Sequence, residues 1–289
     1  MKNNSPIFAK PPSDSIPLED CEFYHVMDIP GLSEPTKGEW DLRKGVDEYL
    51  GHLDFNNKTV LELGPACGFL TFHIEKMGGD VTSIELDHKK SRWDIVPNVK
   101  YNWLKGERVG ESLHYLFEQS KVENAYWYAH KAFNSKSKLI LSHINDLPAE
   151  IGIYDISLMC SVILHLQNPF LGIQNMLRHT KEKVIITDMG SYKQIKSFPN
   201  IIRNLKKYFK KSISPRLPVI EFYPKVKNKY QDIVTWWKIS PEFIVNAASI
   251  LGFEKSSINY HVQYHNGHPL DMFTVVCERT VPIENCNYD

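Results

Sequence analysis

Two glutamates and two glycines are spaced as a ligand cradle between Thr59 and Asp87, in TVLELGPACGFLTFHIEKMGGDVTSIELD. Glu62 stands two residues before Gly64, Gly68 follows, and Glu85 lies 23 residues beyond Glu62. A carboxylate accepts hydrogen bonds only, so Glu85 suits a pair of ribose hydroxyls. Gly64 and Gly68, with Pro65 and Ala66 between them, leave room for a ligand at the backbone and let a helix pack close to a strand. Free N–H groups at that helix start favour an electron-rich group. The order is not the dinucleotide fingerprint G-x-G-x-x-G. An acid at position 62 would repel a pyrophosphate and attract a cation. The residues therefore point to a ligand with an amine and a sulfonium rather than phosphates.

These residues need strands and a helix to hold them. Thr59 to Leu63 is a short apolar run fit for a buried strand. Phe69 to Met77 has helical spacing, and Gly78-Gly79 stops it. Val81 to Ile84 is a second strand, with Glu85 at its carboxyl end. Strand, glycine turn, helix, strand and acid form the nucleotide-binding half of a doubly wound sheet.

Glu62-Leu63-Gly64-Pro65-Ala66-Cys67-Gly68 resembles motif I of the class I S-adenosylmethionine-dependent methyltransferases, with Ala66 where many members have glycine. The resemblance covers roughly residues 46–280. It implies an α/β, Rossmann-like fold with a seven-stranded mixed sheet in the order 3-2-1-4-5-7-6, helices on both faces and the last strand antiparallel. It implies S-adenosylmethionine as cofactor and S-adenosylhomocysteine as product, with Glu62, Gly64, Pro65, Ala66, Gly68, Glu85 and Leu86 around it. In this family an acid after the third strand often takes the adenine amino group. Here Leu139 to Leu141 is that strand, His143 occupies the acid's place, and Asp146 lies three residues on. Ile144 then supplies the backbone donor and the apolar contact, with Asn145 beside it at the cofactor.

The run Ser161-Val162-Ile163-Leu164-His165-Leu166 resembles motif IV of the same family, and Asn168-Pro169-Phe170 extends the likeness. The subset with this run includes tRNA wobble-uridine modifying enzymes and many small-molecule methyltransferases. Ligands bind at the carboxyl ends of parallel strands, so Cys160, Ser161 and the residues to His165 line the site. Histidine is the side chain whose ordinary pKa lies near neutrality, which makes His165 the candidate there. It is either a general base or a hydrogen-bonded residue that orients the loop.

Residues 1–44 read as a loose tail followed by an aromatic arm, and 45–289 as the methyltransferase domain with insertions at about 98–138 and 191–238. A helix over Val46 to Leu53 leads into the first strand. The arm residues Tyr24, His25, Trp40 and Arg43 either anchor it or cover the site. In the second role His25 meets substrate and Arg43 grips the cofactor carboxylate with two hydrogen bonds. The second insertion carries Trp236 and Trp237. Adjacent strand residues face opposite ways, so one of the pair faces the site mouth or a lid. The stretch Glu111 to Ala132 is helical, with Tyr126 on an aromatic stripe that serves the core, the substrate or a homodimer contact.

Net charge is zero over 289 residues and the pI is about 7.2. That balance favours a small-molecule acceptor, a sugar or secondary metabolite methylated on oxygen, over nucleic acid. The basic residues at 203–216 keep the tRNA reading open, as a solvated helix face or a phosphate contact. A non-catalytic protein that keeps the cofactor fold is the third alternative. The five cysteines have no metal-ligand spacing and read as reduced thiols of a cytoplasmic protein with no metal. Neither a signal peptide nor a membrane span is expected.

Overall fold

The computed structural model describes residues 8–87, 94, 96, 101–102, 107–108, 120–190, 217–224 and 234–288. The basic run at 203–216 and the predicted helical residues 111–119 lie outside the described residues.

The chain runs β1 (Trp40–Asp41), α1 (Val46–Tyr49), β2 (Thr59–Leu63), α2 (Phe69–Lys76), β3 (Asp80–Glu85), β4 (Tyr101–Asn102), β5 (Glu107–Arg108), α3 (Ser120–Ala132), β6 (Lys138–Leu141), β7 (Tyr154–Cys160), α4 (Pro169–Arg178), β8 (Thr180–Met189), β9 (Ile220–Phe222), β10 (Trp237–Ile239), α5 (Pro241–Ile250), β11 (Lys255–His265) and β12 (His268–Glu278). The main sheet has eight strands in the order β1-β11-β12-β8-β7-β2-β3-β6. From β6 to β11 this is the expected 3-2-1-4-5-7-6 order. β2, β3, β6, β7 and β8 are parallel, and β12 is antiparallel to both β8 and β11.

The eighth strand corrects the expectation of seven. Trp40 and Asp41 pair antiparallel with His265 and Tyr264. Trp40 and Asp41, read as part of the arm, therefore add an edge strand to the sheet. α1 is also shorter than predicted, because Gly51 adopts φ +66° and His52 φ +57°, which a helix cannot continue.

Val60, Leu61 and Leu63 are fully or almost fully buried, as parallel pairing on both sides of β2 requires. One apolar layer holds the arm, α1, α2 and α3 against one face of the sheet. The other face carries α4 and α5. Burial of each large apolar side chain contributes about 1.5–3 kcal/mol. α4 starts on Asn168, whose side chain accepts the Leu171 amide, and α5 starts on Ser240, which accepts the Phe243 amide. Proline follows each cap, where its missing N–H costs nothing.

Candidate functional site

The glycine turn sits between the carboxyl end of β2 and the start of α2. Gly64, Ala66 and Gly68 all have positive φ, at +81°, +49° and +85°. A side chain at Gly64 would meet Val162 Cγ2 at 2.5 Å, and one at Gly68 would meet Phe72 and Tyr126 at 2.5 and 2.9 Å. The glycines thus admit the loop after β7 and helix α3, as well as leaving the backbone bare for a ligand. Ala66 accepts the strained conformation at some cost.

Glu85 braces this turn. Its Oε2 accepts the Ala66 amide at 3.0 Å and its Oε1 the Leu86 amide at 2.8 Å. Each oxygen keeps a lone pair for a further donor. Burial raises the Glu85 pKa against those two amides. Glu62 lies deeper, 2% exposed, and its Oε2 accepts hydrogen bonds from Thr71 and Ser83. Burial pushes its pKa up to about 7. Pro65 closes the turn by accepting the Gly68 amide at 2.8 Å.

Beyond β6, His143 Nδ1 accepts the Asn145 amide at 3.1 Å, which leaves the ring proton on Nε2. That nitrogen lies 3.8 Å from Asp94 Oδ1. Asp94 also accepts the Gln167 amide at 2.6 Å, so it ties the loop after β6 to the loop after β7. Ile144 is buried, with its carbonyl bonded to Asn175 of α4. Asn145 Oδ1 is buried without a partner.

At the carboxyl end of β7, Ser161 takes φ +55°, donates its amide to Thr187 O at 2.7 Å and pairs its Oγ with Tyr49 OH at 2.9 Å. Burial drives the Cys160 thiol well above its ordinary pKa, so it stays protonated. The His165 Nδ1 sits 2.8 Å from Val234 O. This bond supports the orienting role: the ring tethers the turn Ile163–His165 to the second insertion. Trp236 donates its amide to Leu164 O at 2.9 Å and its indole N–H to Asp94 O at 2.6 Å, and Trp237 gives its indole N–H to Leu166 O at 2.9 Å. Both tryptophans therefore lean on the loop after β7.

For three residues left open between packing and the site, the contacts favour packing. Arg43 binds Asp41 at 2.8 Å and Asp28 at 2.9 Å, so its guanidinium is spent within the arm and not on a cofactor carboxylate. Tyr126, 1% exposed, packs on Phe72 and pairs its OH with Ser137, so it belongs to the core and not to a substrate pocket. His25, 8% exposed, backs the glycine turn instead of facing an acceptor: its amide and Nδ1 lie 3.3 and 3.4 Å from Cys67 Sγ. Burial lowers its pKa to about 3, and the ring is neutral.

Sequence reasoning missed Tyr49, Asp94 and Asp188. Asp188 at the end of β8 was signalled by an acid closing an apolar strand. Asp94 and Tyr49 had no signal, since their partners are distant in sequence. Among the described residues no cluster of histidine, cysteine or acid side chains is arranged for a metal, and no helix is long and apolar enough to cross a membrane.

No family profile and no curated protein matches the sequence. Solved structures do. A methyltransferase from Aquifex aeolicus matches at 13% identity over 84% of this chain and 91% of that one, with a TM-score of 0.43. Magnesium protoporphyrin IX methyltransferase from Synechocystis, crystallised with S-adenosylhomocysteine, matches at 12% over 82% and 83%, with a TM-score of 0.46. A protein from Methanosarcina mazei matches at 11% over 79% and 95%, with a TM-score of 0.50. That last likeness establishes the architecture: this chain has the fold of the S-adenosylmethionine-dependent methyltransferases.

Proposed function

We propose that the chain transfers the methyl group of S-adenosylmethionine to an oxygen of a small molecule. The observation that carries the cofactor reading is Glu85, held at the end of β3 by the Ala66 and Leu86 amides with a lone pair remaining on each oxygen. That arrangement suits the two ribose hydroxyls. The bare turn of Gly64 to Gly68 suits the passage of the chain that bears sulfur, and a cation beside the buried Glu62 would favour its ionised form. The loop of His143 to Asn145 borders the adenine side, with the partnerless Asn145 Oδ1 available to an amino group. The cofactor supplies an electrophilic methyl on sulfur.

The protein's part is alignment. An in-line displacement needs the acceptor oxygen behind the methyl carbon, and a fixed near-attack geometry lowers the barrier without covalent help. Trp236 and Trp237, seated on the loop after β7, form an aromatic border on the acceptor side. Zero net charge over the chain fits an uncharged small acceptor. Isothermal titration of the full chain with S-adenosylmethionine tests the reading. We expect one site with a micromolar dissociation constant. Absence of heat at millimolar ligand would remove it.

A further inference from the structure

Asp188 at the carboxyl end of β8 is 4% exposed, yet one of its oxygens lacks a well-formed hydrogen bond. Oδ1 accepts the Met189 amide at 2.6 Å; Oδ2 is buried with no hydrogen bond of full geometry, although the Leu164 amide pulls on the carboxylate from nearby. Leaving a carboxyl oxygen poorly paired in a core costs stability. Its strand neighbours Ile185, Ile186 and Thr187 are wholly buried and give no packing reason for an acid. Burial pushes its pKa up to about 7, against the pull of the Met189 and Leu164 amides.

The surroundings are those of a ligand site. Leu164 belongs to the turn Ile163–His165, which follows the carboxyl end of the neighbouring strand β7. Trp236 borders the same turn through Leu164 O. Ser161, in strained backbone, fixes the start of that loop on Thr187 O, one residue from Asp188. Parallel strands present ligand sites at this end, and a buried polar atom without a well-formed hydrogen bond there marks a place for a ligand's donor.

We infer that Asp188 is the catalytic residue that holds the acceptor: Oδ2 accepts a hydrogen bond from its hydroxyl and takes the proton during transfer. This rests on the methyltransferase reading and adds the acceptor's class. A lone pair of the hydroxyl oxygen forms the new C–O bond as the C–S bond breaks. The C–S electron pair stays on sulfur, which becomes a neutral thioether. The hydroxyl proton moves to Oδ2 and leaves to water after the product departs. The reacting group must therefore bring a proton, so the acceptor is an alcohol or phenol and not a carboxylate, which Asp188 would repel.

The test uses the full chain and methyl-labelled S-adenosylmethionine with methyl α-D-glucoside, catechol and benzoate as probes. Label on a hydroxyl probe and none on benzoate is the expected result. Asp188→Asn should lower kcat about 100-fold to 10,000-fold, with cofactor affinity within about twofold, and Asp188→Glu should recover part of the loss. Labelled benzoate, an unlabelled hydroxyl set, or wild-type kcat in Asp188→Asn would overturn the inference. If Asp188→Asn no longer holds the cofactor, the wild-type probe pattern decides alone. Failure of the wild-type chain to bind S-adenosylmethionine is a separate result, read in the titration, and it would bring down the methyltransferase reading itself.

Discussion

At the ends of β2 and β3 the acids are tied into their own fold: Glu85 takes two amides, and Glu62 takes two hydroxyls. At the ends of β7 and β8 the chain does the opposite. Asp188 keeps an oxygen poorly paired, Ser161 sits in strained backbone, and the loop between them is anchored from outside by Val234 and Trp236. The first region is preorganised, which lowers the ordering cost of binding a fixed ligand. The second leaves a buried carboxyl oxygen without a well-formed hydrogen bond, where we place the acceptor's donor. The contrast matches a permanent cofactor shape on one side and a variable acceptor on the other.

Four changes probe that contrast. The largest effect is expected for Glu85→Ala. It removes two charge-assisted acceptors, each worth about 1.5–3 kcal/mol, so affinity for S-adenosylmethionine should fall roughly a thousandfold by titration while the thermal transition persists. Unchanged affinity would mean that the ribose lies elsewhere.

Next comes Glu62. Its pKa rises from 4.5 to about 7 on folding. The unfolded chain therefore gives up this proton first as pH climbs. This group's contribution to stability is greatest below pH 4.5, falls between 4.5 and about 7, and is flat above, for a loss of about 3 kcal/mol. Urea unfolding of Glu62→Gln should lack this part of the pH dependence. An identical pH slope in the variant would show that Glu62 is ionised in the fold.

Gly64→Ala should cost about 2 kcal/mol, because a Cβ meets Val162 at 2.5 Å and φ is +81°. The melting temperature reads this, and a shift of under a degree would contradict the close approach of the two loops. The smallest effect is expected for Trp236→Phe. It removes the indole bond to Asp94 O and should cost about 1 kcal/mol. The melting temperature again reads this, and an unchanged transition in Trp236→Phe would contradict the bond.

Much of the first region was legible in the sequence because its constraints are local. The order Glu62, Gly64, Gly68, Glu85 spans one strand–turn–helix–strand unit, and the backbone of that unit fixes where each group goes. The second region depends on contacts distant in sequence. Tyr49 reaches Ser161 across 112 residues, and Trp236 reaches Asp94 across 142. Arg43 misled because its partners Asp28 and Asp41 belong to the arm itself. Tyr126 stayed open between core and site because an aromatic stripe has the same spacing whether it packs on Phe72 or lines a pocket. The eighth strand was hidden because two residues, Trp40 and Asp41, have no periodicity to read.

A crystal structure of the full chain soaked with S-adenosylhomocysteine tests the central claim most directly. The account predicts both ribose hydroxyls on Glu85 and the sulfur chain along Gly64 to Gly68. Ligand density at another place, or Glu85 bonded only to the Ala66 and Leu86 amides in a crystal that holds the ligand, would contradict it.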